Sequence, residues 1–231
     1  MRTIVIMGLL VGLVTAPLPA QAVTGRIEGM ASIASRLTAP RQRVRVYDEP
    51  GTPPSTPPVV VHPFAGVVMV LESTPALLRL SQPVQHAAMT QRGEHFVPHV
   101  LAVTNGSTVA FPNEDPLYHN VFSLSSARSF DLGRYTRGQS KSVRFTRAGV
   151  VQIFCHIHAD MNAYILVYDH PFFAVPDAQG RFIIEGVPPG DYTLVAWHER
   201  VRPIRTPVRV EAGRTATPSV AIPLTDPPAN P

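Results

Sequence analysis

The sequence is short of several things, and each shortage excludes something. One cysteine stands in 231 residues. That excludes an intrachain disulfide framework and a structural zinc site built on several thiolates. Aromatic residues make up 7% of the chain, with a single tryptophan, and charged residues make up 16%. Neither sign of charge dominates, at 20 Lys+Arg against 16 Asp+Glu. Basic and aromatic residues do not interleave, so no nucleic-acid partner is expected. Amphipathic helical stretches are missing, and no apolar run beyond the N-terminal one could span a bilayer. Also missing are a nucleophile elbow with its Ser/His/Asp set, a glycine-rich phosphate loop and a zinc-binding HExxH helix. The protein is therefore not expected to be an enzyme.

The chain is rich in proline, with 25, and carries 15 glycines. Such composition suits short strands joined by turns. Its start reads as a secretory signal: a positive Met1-Arg2, an apolar run from Ile4 to Val14, and the cleavage pattern Ala20-Gln21-Ala22. Residues 1–22 are thus expected to be removed, leaving a periplasmic or secreted protein without a membrane span. That compartment is oxidising, so a lone thiol there calls for something that binds it.

The expected fold is all-β. In residues 23–75, Val23–Ile27, Val44–Tyr47 and Gly66–Glu72 read as strands around the proline-rich loop Pro50–Pro58. In residues 76–169, strands are expected at Val100–Val103, Thr108–Phe111, Val121–Leu124, Ser142–Thr146, Val150–Phe154 and Ala163–Val167. Asn105-Gly106 between the first two is a hairpin signal. In residues 170–224, Arg181–Glu185, Thr193–Trp197, Val208–Val210 and Val220–Ile222 alternate between turns. This last segment is small for an independent sandwich, and strands from 23–75 are expected to complete it. The central region would then be an insertion. Residues 225–231 read as a disordered tail.

The chemistry concentrates in Phe154-Cys155-His156-Ile157-His158-Ala159-Asp160-Met161, where a strand ends and a tight loop begins. His119 stands upstream, after a separate loop. A thiolate, two imidazoles and a thioether make a soft donor set that favours copper. Two imidazoles and one thiolate with a weak axial Met are the blue-copper electron-transfer set. His156 is an alternative ligand, although strand alternation turns it away from Cys155. His62, His86, His170 and His198 have no ligand neighbourhood, and Trp197 reads as core of the second sandwich.

The stretch from Met89 to Val167 resembles the cupredoxins, the plastocyanin-like blue copper proteins. The likeness rests on Phe96-x-Pro98, Gly106-Ser107-Thr108-Val109-Ala110-Phe111-x-Asn113, Asp115, His119-Asn120-Val121, Gly149-Val150-Val151 and the Cys155/His158/Met161 loop. It looks most like the exported members labelled methylamine utilisation proteins, with Pro171-Phe172-Phe173-Ala174 following the loop. Asp177–Trp197 resembles the carboxypeptidase regulatory-like domain, a transthyretin-like sandwich. These resemblances imply a cupredoxin Greek-key sandwich plus a transthyretin-like or Ig-like one. They imply copper held by His119, Cys155, His158 and Met161, with Asn120 tying the two ligand loops together by hydrogen bonds. Plastocyanin has a longer spacer between its second His and the Met, so Asp160 or a water competes with Met161 here. A binuclear centre needs a second Cys, so one mononuclear copper is implied. The expected role is electron transfer with a cytochrome or quinoprotein partner. The alternatives are copper storage, delivery or sensing, and a non-redox scaffold. Two arginine-rich stretches, Arg134–Arg147 and Arg200–Arg209, are solvated faces or a docking surface for an acidic partner.

Overall fold

The computed structural model describes residues 23–33, 62–80 and 83–223. The expected signal segment, the strand Val44–Tyr47, the proline-rich loop and the tail all lie outside those residues. In chain order the elements are β1 (Gly25–Ile33), β2 (Val68–Leu71), helix α1 (Pro75–Leu78), β3 (His86–Ala88), β4 (Thr90–Gln91), β5 (Phe96–Val97), β6 (Val100–Thr104), β7 (Thr108–Pro112), β8 (His119–Ser125) and β9 (Arg128–Tyr135). There follow β10 (Ser140–Arg144), β11 (Gly149–Phe154), β12 (Asn162–Tyr168), β13 (Phe173–Ala174), β14 (Arg181–Val187), β15 (Gly190–His198), β16 (Val201–Val210), β17 (Thr215–Ala216) and β18 (Ser219–Ile222). The protein is all-β, and no helix among the described residues is long and apolar enough to cross a membrane.

The central strands form one sandwich. A three-stranded sheet, β10-β7-β3, faces a five-stranded one, β6-β12-β11-β8-β9. Alternation builds its core. On β7, Val109 and Phe111 point in between the half-buried Thr108 and Ala110. On β12, Ala163, Ile165 and Val167 join them, with Val121 from β8 and Ile153 from β11.

Strands from both ends of the chain form the other sandwich. β1 pairs antiparallel with β14 and parallel with β17 and β18. β2 pairs with β13 and β15, and β16 closes the edge beside β15. Ile27, Met69, Leu71, Phe182, Ile184, Leu194 and Ile222 fill the space between these sheets. Gly29 on β1 is there because nothing larger fits: a Cβ would lie 2.7 Å from the Pro218 carbonyl oxygen and would strike the Phe182 ring. β2 is buried along its whole length. Met69 and Leu71 face its own core, while Val68 faces the central sandwich. Such a strand, covered on both faces, reads as an unbroken apolar run.

The two sandwiches meet over Val68, Val100 and Leu166, with Tyr164, Tyr168, Phe173 and Trp197 packed around them. Trp197 therefore belongs to this joint and not to the second sandwich's core. Its ring meets Tyr164 edge-on at 5.5 Å between centroids. His99 Nε2 lies 3.2 Å from Glu199 beside it.

Two expectations change. The Asn105-Gly106 turn forms, with Gly106 at φ +89°, but it makes no hairpin. β6 pairs with β12, and β7 pairs with β10 and β3. The turn carries the chain from one sheet to the other, and Gly106 N donates across to Phe145 O at 2.7 Å. Neither β9 nor the first half of β16 is among the expected strands. β9 is an edge strand that alternates Ser129, Asp131 and Gly133 with half-buried residues. β16 holds Pro203 and Pro207, which an edge strand tolerates because the missing N–H faces outward.

Candidate metal centre

The site lies at one end of the five-stranded sheet. His119 is the first residue of β8, and Cys155 directly follows the last residue of β11. These strands are neighbours, with Phe154 opposite Phe122. His158 comes from the loop that returns the chain into β12. That loop is closed by two backbone bonds: Met161 N donates to His158 O at 3.0 Å, and Cys155 N donates to Met161 O at 3.1 Å. The short spacer thus makes a compact turn.

The loop brings three donors to one point. His119 Nδ1 and His158 Nδ1 are 3.0 Å apart. Each is 3.9 Å from Cys155 Sγ. All three ligand atoms fall within 4.8 Å of one another. His119 is 0% exposed and Cys155 5%, while His158 is half-buried and reaches the surface. Met161 is 1% exposed and packs in the sandwich core directly under this loop.

Asn120 joins the two loops. Its Oδ1 accepts from His156 N at 2.7 Å, and its Nδ2 donates to Asp131 Oδ1 at 3.1 Å. His156 turns outward, with its ring stacked on Phe122 at 3.7 Å between centroids. It stays out of the donor cluster. Asp160 is exposed and is likewise outside that cluster; its backbone carbonyl accepts from Asn162 Nδ2.

Sequence reasoning passed over part of the support. Asp115 Oδ2 lies 2.8 Å from His119 Nε2. Asp115 itself accepts from the backbone N–H of Gly93 at 2.6 Å and of Glu94 at 2.9 Å. Asn113 Oδ1 accepts from Asp115 N, and Asn113 Nδ2 donates to the carbonyls of Leu117 and Tyr135. Asp115 stands in the cupredoxin-like pattern four residues before His119, but the sequence gives it no role. Gly93 and Glu94 gave no clue, because β4 and β5 are only two residues long each. Below the site, Gln91 Nε2 donates to the Tyr135 hydroxyl at 2.6 Å.

The electrostatics favour a thiolate. Burial pushes the Cys155 thiol up, but the hydrogen bond with His119 and the backbone groups of Asn120, His158 and Ile157 outweigh it and pull it down to about 6. Burial works against the His119 cation, but Cys155 and then Asp115 outweigh it and raise its pKa. For Asp115, burial is again opposed, by Glu94, Gly93 and His119, and the carboxyl ends below its usual range. A carboxylate can only accept, so the proton of neutral His119 sits on Nε2 and the Nδ1 lone pair faces Cys155 and His158. Converging soft S and N lone pairs in a nearly dry pocket fit a copper ion.

Comparison with known proteins adds little beyond this. A family model, polysaccharide lyase family 4, domain II, matches residues 168–218. The expected carboxypeptidase regulatory-like domain has no counterpart over that stretch. No curated protein matches the chain in sequence. Similar solved structures include copper proteins at low identity. The reduced Cu(I) form, at pH 4, of a mutant amicyanin is 20% identical over 43% of this chain and 97% of its own, with a TM-score of 0.34. A purple cupredoxin from Nitrosopumilus maritimus is 19% identical over 36% of this chain and 99% of its own, with a TM-score of 0.32. The copper-containing nitrite reductase of Thermus scotoductus SA-01 is 22% identical over 48% of this chain but only 27% of its own, with a TM-score of 0.35. At such identities and scores, the site has to be judged by its own geometry.

Proposed function

We propose that this is an exported copper protein that carries electrons, with one mononuclear copper held by His119, Cys155 and His158 and capped by Met161. One observation carries the reading: the convergence of two Nδ1 atoms and a thiol sulfur within 4.8 Å at the mouth of a rigid sandwich. Copper held by such a set supplies a one-electron couple. The protein's own part is to keep the donors still. Cys155 and His119 are fixed by adjacent strands, and His158 is fixed by the closed turn. Asn120 ties the turn to β8. A donor set held this firmly suits a carrier better than a delivery protein, which must let its ligands exchange.

His158 is the donor nearest solvent, so it is the contact for a protein partner of the cytochrome or quinoprotein class. No substrate is transformed. The apolar N-terminal segment supports export to the periplasm or beyond.

The test is the visible spectrum of the purified protein after one equivalent of Cu(II). An intense blue or green thiolate-to-copper band is expected, and Cys155→Ser should abolish it. A Cys155→Ser protein with an unchanged spectrum would sink the assignment. A colourless wild-type protein that holds copper weakly would favour storage, delivery or a scaffold role.

A further inference from the structure

Glu94 is the only described non-glycine residue with positive φ, at 59°, and it follows Gly93 at φ 62°. Two consecutive left-handed residues turn their N–H groups the same way and make a small anion-binding concavity. A glutamate pays about 1–2 kcal/mol to sit there. Backbone held like this persists when its surroundings over-determine it, and it clusters at working sites. The concavity is filled by one group, the Asp115 carboxylate, with Gly93 N on Oδ1 at 2.6 Å and Glu94 N on Oδ2 at 2.9 Å. Oδ2 also meets His119 Nε2 at 2.8 Å. A fourth bond, from Asp115 N to Asn113 Oδ1 at 2.9 Å, fixes the backbone behind it.

The structure assigns Asp115 as the positioning residue for His119: gripped by the Gly93–Glu94 turn, it fixes the ring's tautomer and angle and, through the ring, favours Cu(II) over Cu(I). This rests on the copper reading above. The reasoning is short. A carboxylate on the far nitrogen orients an imidazole ligand and raises its basicity. A negative charge in a nearly dry pocket stabilises the more positive oxidation state. The carboxylate is not free to swing away, because both its oxygens are already bonded to backbone. The β4–β5 turn therefore acts on the donor cluster although no residue of it is a ligand.

The variant is Asp115→Asn, which keeps the shape. Its one oxygen can stand where Oδ2 stood, between Glu94 N and His119 Nε2, but its amide nitrogen then faces the Gly93 N–H, donor against donor, and the negative charge is gone. Cu(II) affinity should fall about ten- to a hundredfold. Cu(I), which depends less on ligand basicity, should lose less. Each tenfold difference raises the reduction potential by about 59 mV. Arg92→Ala is the control. It breaks the exposed Arg92–Glu114 ion pair on the same loops, at 2.6 Å, without touching Asp115, and should leave the potential unchanged. A wild-type potential and Cu(II) affinity in Asp115→Asn would overturn the assignment. So would an equal shift in Arg92→Ala, which would mean loop packing alone is at work. If Asp115→Asn does not fold, the wild-type Cu(I) protein decides by NMR. A slowly exchanging, downfield His119 Nε2 proton is expected, and a freely exchanging one would overturn the assignment. A wild-type protein that takes up no copper overturns the parent reading, and this one with it.

Discussion

Asn120→Ala separates stitching of the ligand loops from ordinary packing. Asn120 is 2% exposed and bridges β8 to the ligand loop through His156 N at 2.7 Å, and to β9 through Asp131 at 3.1 Å. Truncation removes both bonds and leaves the His156 N–H without its acceptor. An orphaned buried donor costs about 1–3 kcal/mol. His156 is exposed and this bond only part-buried, so water can replace some of the loss and the lower half of that range applies. For a cooperative unit of about 150–250 residues, each kcal/mol moves Tm by roughly 2–4 °C. The metal-free protein should therefore melt about 2–8 °C lower. Because the ligand loop loses its tie, Cu(II) affinity should also fall, by about ten- to a hundredfold. The assay is thermal unfolding of the metal-free protein beside competitive Cu(II) titration. Asn105→Ala is the comparison. It loses one part-buried bond, to Asp169 at 2.9 Å, and should lower Tm while leaving copper alone. If Asn120→Ala lowers Tm but binds copper like wild type, Asn120 is a packing residue and the stitching argument is wrong.

Two further outcomes follow from the same geometry. Met161→Ala opens a hole in a closed core, at a cost of about 2–5 kcal/mol in the metal-free protein; copper should still bind, with a lower potential because a soft donor that favours Cu(I) is gone. A melting curve and a voltammogram check both, and an unchanged potential would remove Met161 from the site. The thiol should titrate near 6 in the folded metal-free protein, against about 8.5 when unfolded. A depressed pKa gives stability that is present above the unfolded value and lost as pH falls through the folded one. His119 acts oppositely: its raised pKa gives stability present below about 6.5 and lost as pH rises. Following the ultraviolet thiolate absorbance with pH checks this, and a rise only near about 8.5 would refute it.

The sequence displays the ligand loop because the chemistry is local. Cys155, His158 and Met161 fall in seven residues, and their types already point to soft-metal chemistry. His119 needs a strand neighbour to reach them, but its partner Asn120 sits beside it. Asp115 is different. Its role depends on two backbone N–H groups across a hairpin of two-residue strands, and backbone donors leave no trace in side-chain identity. The hairpin expected at Asn105-Gly106 fails for a related reason: a turn residue sets local direction, not the sheet in which the next strand pairs. β9 carries only a short alternation, Phe130 and Leu132 among Ser129, Asp131 and Gly133, and in β16 the prolines Pro203 and Pro207 speak against a strand.

The register of β11 and β12 explains how a site can be built in a domain spliced into another. Phe154 stands opposite Asn162, and Gly149 opposite Val167. The ligand loop therefore lies at one end of this pair. At the other end, the chain leaves Tyr168 for β13, which zips onto β2 through Phe173 and Val70. At about 3.3 Å per residue, the length of β12 puts roughly 20 Å between the donor cluster and the crossing. The crossing strands thus clip the inserted sandwich shut at the end away from the donor cluster, and the loops bearing His119 and His158 are spared from carrying any connection. The joint also buries one half of the outer face, at Val100 and Leu166, and leaves the other half open, with Leu124 80% and Val150 45% exposed. The second sandwich therefore braces β6 and β12, while Leu124 of β8 and Val150 of β11 stay uncovered at the ends of those strands away from His119 and Cys155.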